Sequence, residues 1–398
     1  MITHADLVAA RKRIGDVVRA TPVASSESLS RLAGRPVLAK PEFRQRTGSF
    51  KIRGAYNHIS QLPAGLEVVA GSAGNHAQGV ALAAARTGRR SRIFMHSGAP
   101  LPKVEATRAY GAIVHLVGEY VDEANAAAQS YAEEHGAAFV PPFDDPDVIA
   151  GQGTVGLELA DEAPEAEVVV VPVGGGGLIA GVATALAHVA KGVRVIGVEP
   201  VGAATLSAAL SKGRPVKLDQ VATMADGIAV RSCSELTLAH ARAYVDEVVT
   251  VDEEEITRAM LLLVERAKAV VEPAGATALA AILSGKIPGN GPAVAVLSGG
   301  NVDPLLLIKL IEHGLTAAGR YLVLRVVITD RPGALSRLTA ELARLRLNVL
   351  AVEHRRSGMT LGLDQVEVGL TLETRDADQH RQVLTDLAAA GYEVTAVS

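Results

Sequence analysis

The sequence predicts an α/β fold built on parallel sheets, followed by a small ferredoxin-like unit of order βαββαβ. Three observations carry this. Short apolar runs alternate with Ala-rich helical patterns along most of the chain. Glycines cluster at the strand-to-helix turns, where α/β folds place ligand sites. The pattern then changes near residue 313.

Residues 68–70 precede a helical pattern at 77–86, and 92–95 precede 104–110. Further along, 113–117 precede 121–135, 168–173 precede 178–190, 195–198 precede 203–210, and 294–297 precede 304–311. Continuous apolar strands followed by helices belong to a parallel sheet covered on both faces. Residues 1–312 read as one domain, with a smaller subdomain at about 67–145. Residues 313–320 are small and loosely patterned, and are expected to be a linker. Beyond them the pattern gives a strand at 321–328, a turn at Asp330–Gly333 and a helix at 334–345. Strands follow at 348–354 and 365–372, then a helix at 376–389 and a last strand at 392–397.

Of the 398 residues 48% are apolar, enough for a large core, so wholesale disorder is excluded. Basic and acidic residues number 39 and 43, which argues against nucleic acid or an anionic membrane as partner. Trp is absent and there are five Phe and seven Tyr, too few for a base-stacking surface. Cys233 is the one cysteine, so no intrachain disulfide or Cys-based zinc site can form, and a reducing cytoplasmic home fits. The N-terminus lacks the order of a signal peptide. The apolar runs, such as 168–173, fall far short of a membrane span.

Four segments carry candidate chemistry. Gly174, Gly175, Gly176 and Gly177 lie between an apolar strand and a helix. Consecutive backbone N–H groups at a helix N-terminus form a phosphate cradle. A flexible turn is the plain alternative. A dinucleotide site is another, because Gly175-x-Gly177-x-x-Ala180 has the spacing and Glu199 ends the next strand, as a ribose ligand would. Ser72 and Asn75, within Ser72-Ala73-Gly74-Asn75-His76, also open a helix and could bind an anion; an ordinary Ser N-cap is the alternative. Lys51 follows Phe50 among small residues, with arginines at 44, 46 and 53. A lone lysine is usually a solvated surface charge. Here, neighbouring cations and partial burial are expected to lower its pKa, as a Schiff-base lysine needs. Ser298, in Ser298-Gly299-Gly300-Asn301, follows another strand, and a simple turn is again the alternative.

Together these are a lysine for imine chemistry, a phosphate cup, a carboxylate site and a hydroxyl at a strand end. Pyridoxal phosphate with a bound amino acid requires this set. The 11 histidines show no metal-ligand spacing, and Gly-x-Ser-x-Gly and Walker-type loops are missing.

With these segments in view, the chain resembles the threonine dehydratase (threonine ammonia-lyase) family of β-family, fold type II pyridoxal-phosphate enzymes. The motifs are RTGSFKIRGAYN at 46–57, SAGNHAQGVA at 72–81, GQGTVG at 151–156, GGGGL at 174–178, EPAG at 272–275 and SGGN at 298–301. Residues 321–398 resemble an ACT domain, an amino-acid-sensing module. The resemblance implies two open parallel sheets of the tryptophan-synthase-β type. It implies that Lys51 carries the cofactor and moves the Cα proton, with Phe50 beside the ring. It implies that Gly174–Gly177 and Leu178 hold the phosphate, Asn75 the ring 3-oxygen and Ser298 the pyridine nitrogen. Ser72, Asn75 and His76 would hold the substrate carboxylate, and Glu272 would lie near the ring.

The expected reaction is conversion of L-threonine, and also L-serine, to a 2-oxo acid and ammonia. The ACT resemblance implies an effector, isoleucine or valine, with Gly333 and Asn348 near its site, and a homodimer or homotetramer. Serine racemases share most of these motifs but have Ser where this chain has Ala73, which favours dehydration here. They also hold a divalent cation near Glu199, Ala203 and Thr205; Thr205 stands in place of a carboxylate, so no metal is expected. A β-replacement synthase, a nicotinamide-dependent oxidoreductase and a non-enzymatic amino-acid sensor are the other classes considered.

Overall fold

The computed structural model describes residues 1–356 and 361–397, in two compact units, Met1–Asp303 and Pro304–Ser398. In the first unit, β1 (Ala24–Ser25) pairs antiparallel with β2 (Val37–Lys40). The chain then builds a separate parallel sheet from β3 (Val68–Gly71), β4 (Ser91–Met95), β5 (Ile113–Leu116) and β6 (Ala138–Phe139), in the order β5-β4-β3-β6. It returns to the first sheet with β7 (Val168–Pro172), β8 (Arg194–Pro200), β9 (Glu247–Val251) and β10 (Ala293–Val296). That sheet has the order β1-β2-β10-β7-β8-β9 and is parallel apart from β1. All residues of β7 and β10 are buried, as unbroken Val/Ala runs require when helices cover both faces. Pairing of β10 between β2 and β7 sets the ends of β7 and β10 side by side, so Gly174 and Ser298 leave neighbouring strands.

The helix Pro146–Glu162 lies in a stretch whose glycines and proline resemble a loop. Its glycines serve close packing. A Cβ on Gly151 would lie 2.6 Å from the Arg53 carbonyl oxygen, and one on Gly153 2.8 Å from that of Gly181. The helices Lys51–Ile59 and Gly177–Val189 therefore approach it backbone to backbone.

A buried ionic network ties this helix to the lysine segment. Arg53 and Glu42, both fully buried, pair at 2.8 Å, and Arg53 also reaches Glu158 at 2.6 Å. Buried Lys40 bridges Glu158 and Glu162 at 2.7 and 2.9 Å.

The second unit begins with the helix Pro304–Ala317, which corrects the expected linker at 313–320. Leu306, Leu307, Leu310, Ile311 and Leu315 recur at helical spacing, and Gly314 is tolerated at a buried position. The reversal is confined to Ala318–Arg320, with Gly319 at φ +70°. Then follow β11 (Tyr321–Thr329), the helix Ala334–Arg344, β12 (Asn348–Arg355), β13 (Gln365–Glu373), the helix Ala377–Ala389 and β14 (Glu393–Ala396). The antiparallel order β12-β13-β11-β14 is the ferredoxin-like arrangement the sequence predicts. Alternating Leu322, Leu324 and Val326 on β11 pack against Leu338, Leu342 and Leu387. Gly333, at φ +83°, caps the helix Ala334–Arg344. Asn348 opens β12, and its Nδ2 donates to Glu373 at 3.0 Å.

Candidate active site

The chain around Lys51 is stitched to the loop after β10. Ser49 forms a β-bridge with Gly299, the Phe50 N–H donates to the Ser298 carbonyl at 3.1 Å, and the Gly300 N–H donates to the Gly48 carbonyl at 2.9 Å. Lys51, the first residue of its helix, thus faces the same cavity of about 260 Å³ as Ser298. Its Nζ donates to the Pro142 carbonyl at 2.9 Å and lies 5.2 Å from the centre of the Phe50 ring. Burial lowers its pKa to about 8, against the opposing pull of Glu272. The three arginines expected to contribute have other partners. Arg53 is held by Glu42 and Glu158, Arg46 donates to the Val17 carbonyl, and Arg44 lies over Phe43. Of the two expected causes, burial therefore acts and the neighbouring cations do not.

The second wall is the end of β7. Gly174–Gly176 turn the chain into the helix Gly177–Val189, and Gly176 adopts φ +90° with no side-chain cap on the helix. A Cβ on Gly174 would lie 2.9 Å from Ile228, one on Gly175 2.2 Å from the Phe143 ring, and one on Gly176 2.9 Å from Thr237. Side chains are thus excluded from a row of backbone at a helix N-terminus. A flexible turn has no need of such close packing. Leu178 follows as a buried residue of the cavity wall.

Ser72, Asn75 and His76 form a third wall, at the end of β3 and the start of the helix Asn75–Arg86. The Ser72 hydroxyl accepts from the Gly74 N–H at 3.2 Å and does not cap the helix, which has no side-chain cap. His76 is buried, and its pKa falls to about 3 through desolvation and then the Lys51 charge. The neutral ring donates its Nε2–H to the Val140 carbonyl at 2.9 Å, which leaves the backbone for a ligand. Asn75 Nδ2 donates to Glu272 Oε1 at 2.6 Å. Burial, then Asp226, raises the Glu272 pKa to about 7 against the Asn75 bond.

All the predicted cofactor and substrate residues therefore line one cavity. Sequence reasoning missed Pro142, Phe143, Gln152, Lys103 and Asp226, which also line it. Gln152 lies in the GQGTVG motif, to which no role is attached, and the other four lie outside the motifs; their place in the wall arises from tertiary closure.

The dinucleotide reading fails on Glu199. That carboxylate is fully buried and caps the helix Thr205–Lys212, accepting from the Leu206 N–H at 2.6 Å, the Ser207 N–H at 2.9 Å and the Ser207 hydroxyl at 2.6 Å. It is not available to a ribose. The residues present fit pyridoxal phosphate: an anion cradle only glycine can form, and a buried amine of lowered pKa opening onto the same space.

Comparison with known proteins identifies the class. Residues 14–299 match the family described as pyridoxal-phosphate dependent enzyme, and residues 322–389 match the ACT domain. The chain belongs to the pyridoxal-phosphate dependent enzyme family and carries an ACT domain. It is 46% identical over 401 residues to the L-threonine ammonia-lyase of Thermotoga maritima, covering 100% of both chains. It is 46% identical over 398 residues to that of Geobacter sulfurreducens, covering 99% of each. The solved processed form of threonine deaminase isoform 2 from Solanum lycopersicum superposes with a TM-score of 0.74 at 40% identity, over 77% of this chain and 86% of that one.

Uptake of the cofactor on Lys51, as the resemblance implies, would require a neutral amine. The rate at which stripped protein binds pyridoxal phosphate is therefore expected to rise with pH through a midpoint near 8 and to fall below it as Lys51 protonates. Stopped-flow absorbance reads this rate; a midpoint near the ordinary 10.5 would contradict it.

Proposed function

We propose that the protein is a threonine ammonia-lyase that converts L-threonine, and also L-serine, to the 2-oxo acid and ammonia. The observation that carries this is the meeting of Lys51 and the Gly174–Gly177 cradle in one cavity, in a chain so similar over its whole length to named L-threonine ammonia-lyases. Gly174–Gly177 and Leu178 hold the cofactor phosphate through backbone N–H groups at a helix N-terminus. Phe50 packs beside the ring. Asn75 donates to the ring 3-oxygen, and Ser298 presents a neutral hydroxyl to the pyridine nitrogen. Pyridoxal phosphate supplies an electron-withdrawing ring that acidifies the Cα–H of a bound amino acid.

Ser72, Asn75 and the His76 backbone, at an uncapped helix N-terminus, orient the substrate carboxylate. Lys51 Nζ takes the Cα proton, aided by the burial that lowers its pKa to about 8 and so raises the fraction of free amine. The β-hydroxyl leaves as water. The released enamine tautomerises and hydrolyses, returning that water and giving 2-oxobutanoate and ammonia. Ala73 offers no hydroxyl to reprotonate Cα from the opposite face, so elimination is favoured over racemisation.

The ACT domain binds an effector, isoleucine or valine, near Gly333 and Asn348, and pairs copies of the chain into a homodimer or homotetramer. A cytoplasmic setting suits a chain with one cysteine, Cys233, buried as a free thiol. One experiment tests the reading. The purified protein is given threonine or serine, with and without isoleucine or valine, and 2-oxo acid and serine enantiomers are measured. Stoichiometric 2-oxo acid and ammonia, with an effector-dependent rate, are expected. D-serine as the main product, or no 2-oxo acid, would overturn the lyase assignment. A rate indifferent to both effectors would overturn the regulatory one.

A further inference from the structure

We infer that Asn301 is a positioning residue that sets the orientation of the Asn75 amide. The argument follows donors and acceptors. Asn301 Nδ2 contacts the Thr47 carbonyl at 2.7 Å and Asn75 Oδ1 at 2.7 Å. A backbone carbonyl can only accept, so the atom facing Thr47 must be the amide nitrogen. Both N–H groups of Asn301 are thereby spent, one on Thr47 and one on Asn75. The Asn75 atom that receives the second must be its oxygen. Asn75 Nδ2 is then turned the other way, toward Glu272 Oε1 at 2.6 Å.

Glu272 in turn accepts the backbone N–H of Asn301. Asn75, Glu272 and Asn301 form a closed ring of hydrogen bonds in which Asn301 donates to both of the others and Glu272 accepts from both. An amide nitrogen carries two N–H groups, so Asn75 keeps one for a ligand. With the amide reversed it would offer a ligand only an acceptor.

The packing is built around this arrangement. Gly48 holds φ +71°, and a Cβ there would lie 2.3 Å from Asn301 Oδ1. A Cβ on Gly299 would lie 2.1 Å from Glu272 Oε1 and 3.0 Å from Asn75 Nδ2. The inference rests on the reading that Asn75 donates to the cofactor ring, and it deepens that reading.

The test is a double-mutant cycle on the cofactor-loaded protein, read by the visible absorption maximum, by cofactor affinity and by kcat/KM. Asn301→Asp keeps the shape and removes both N–H donors; Asn301→Ala serves if the buried carboxylate prevents folding. Each is expected to shift the absorption maximum in the same direction as Asn75→Ala and to lower kcat/KM by about tenfold, as loss of one buried hydrogen bond implies. In the Asn75→Ala background, a change at Asn301 should move none of the three readouts further. A wild-type spectrum in the Asn301 variants, or effects that add to those of Asn75→Ala, would overturn the inference. A wild-type spectrum in Asn75→Ala would instead overturn the placement of Asn75 on the ring, and the inference with it.

Discussion

Lys51→Ala is expected to lower threonine turnover by about 10⁴-fold, the upper range for a lost general base. At about 1.4 kcal/mol per factor of ten, this is roughly 5.5 kcal/mol of barrier. The same variant should lose the visible absorbance of the covalently attached cofactor. The fold should survive, because Lys51 makes one hydrogen bond, to the Pro142 carbonyl, and its buried amine opposes folding when charged. Steady-state kinetics and a thermal melt distinguish the two effects. A folded variant that retained more than about a hundredth of its turnover would contradict the assignment of Lys51 as the base.

Arg53→Ala is expected to cost about 3–5 kcal/mol of stability, as removal of one member of a buried ion pair does. Arg53 forks onto two carboxylates. Its Nε and Nη2 meet Glu42 at 2.8 Å each, and its Nη1 and Nη2 meet Glu158 at 2.6 and 2.9 Å. Among the described residues, alanine would leave the fully buried Glu42 carboxylate with the Thr21 hydroxyl at 2.5 Å as its one side-chain donor. Glu158 would keep Lys40. Arg53→Lys should recover only part of the loss, since a point charge cannot satisfy both forks. Urea denaturation measures this directly, and a change below about 1 kcal/mol would show that the network is solvated or compensated. Arg53 lies two residues after Lys51 on the same helix, so slippage there should also weaken cofactor retention.

The parts of this molecule legible in the sequence are those whose physics is local. The Val168–Pro172 strand and the four glycines after it stand out because a doubly buried strand must be apolar throughout and its turn must fit an anion. The alternation on β11 and β13 is equally local. The helix Pro146–Glu162 was hidden because its glycines resemble a loop, although in the fold they let backbones touch. The expected linker at 313–320 failed for the converse reason. Small residues there extend a helix already nucleated by a leucine-rich stretch. Of the two expected causes of the lowered lysine pKa, burial acts and the neighbouring arginines do not, because the partners that neutralise them come from distant parts of the chain. Phe143 against the glycine cradle and Asn301 against Asn75, 226 residues apart, exist only once the sheets have formed.

The central claim is that pyridoxal phosphate is carried by Lys51 in the cavity closed by Gly174–Gly177. The most direct test is borohydride reduction of the loaded protein, followed by proteolysis and mass spectrometry. The account predicts a single pyridoxyl-phosphate adduct, on the peptide containing Lys51 and no other lysine. An adduct on another lysine, or none on a protein that still turns over threonine, would contradict it.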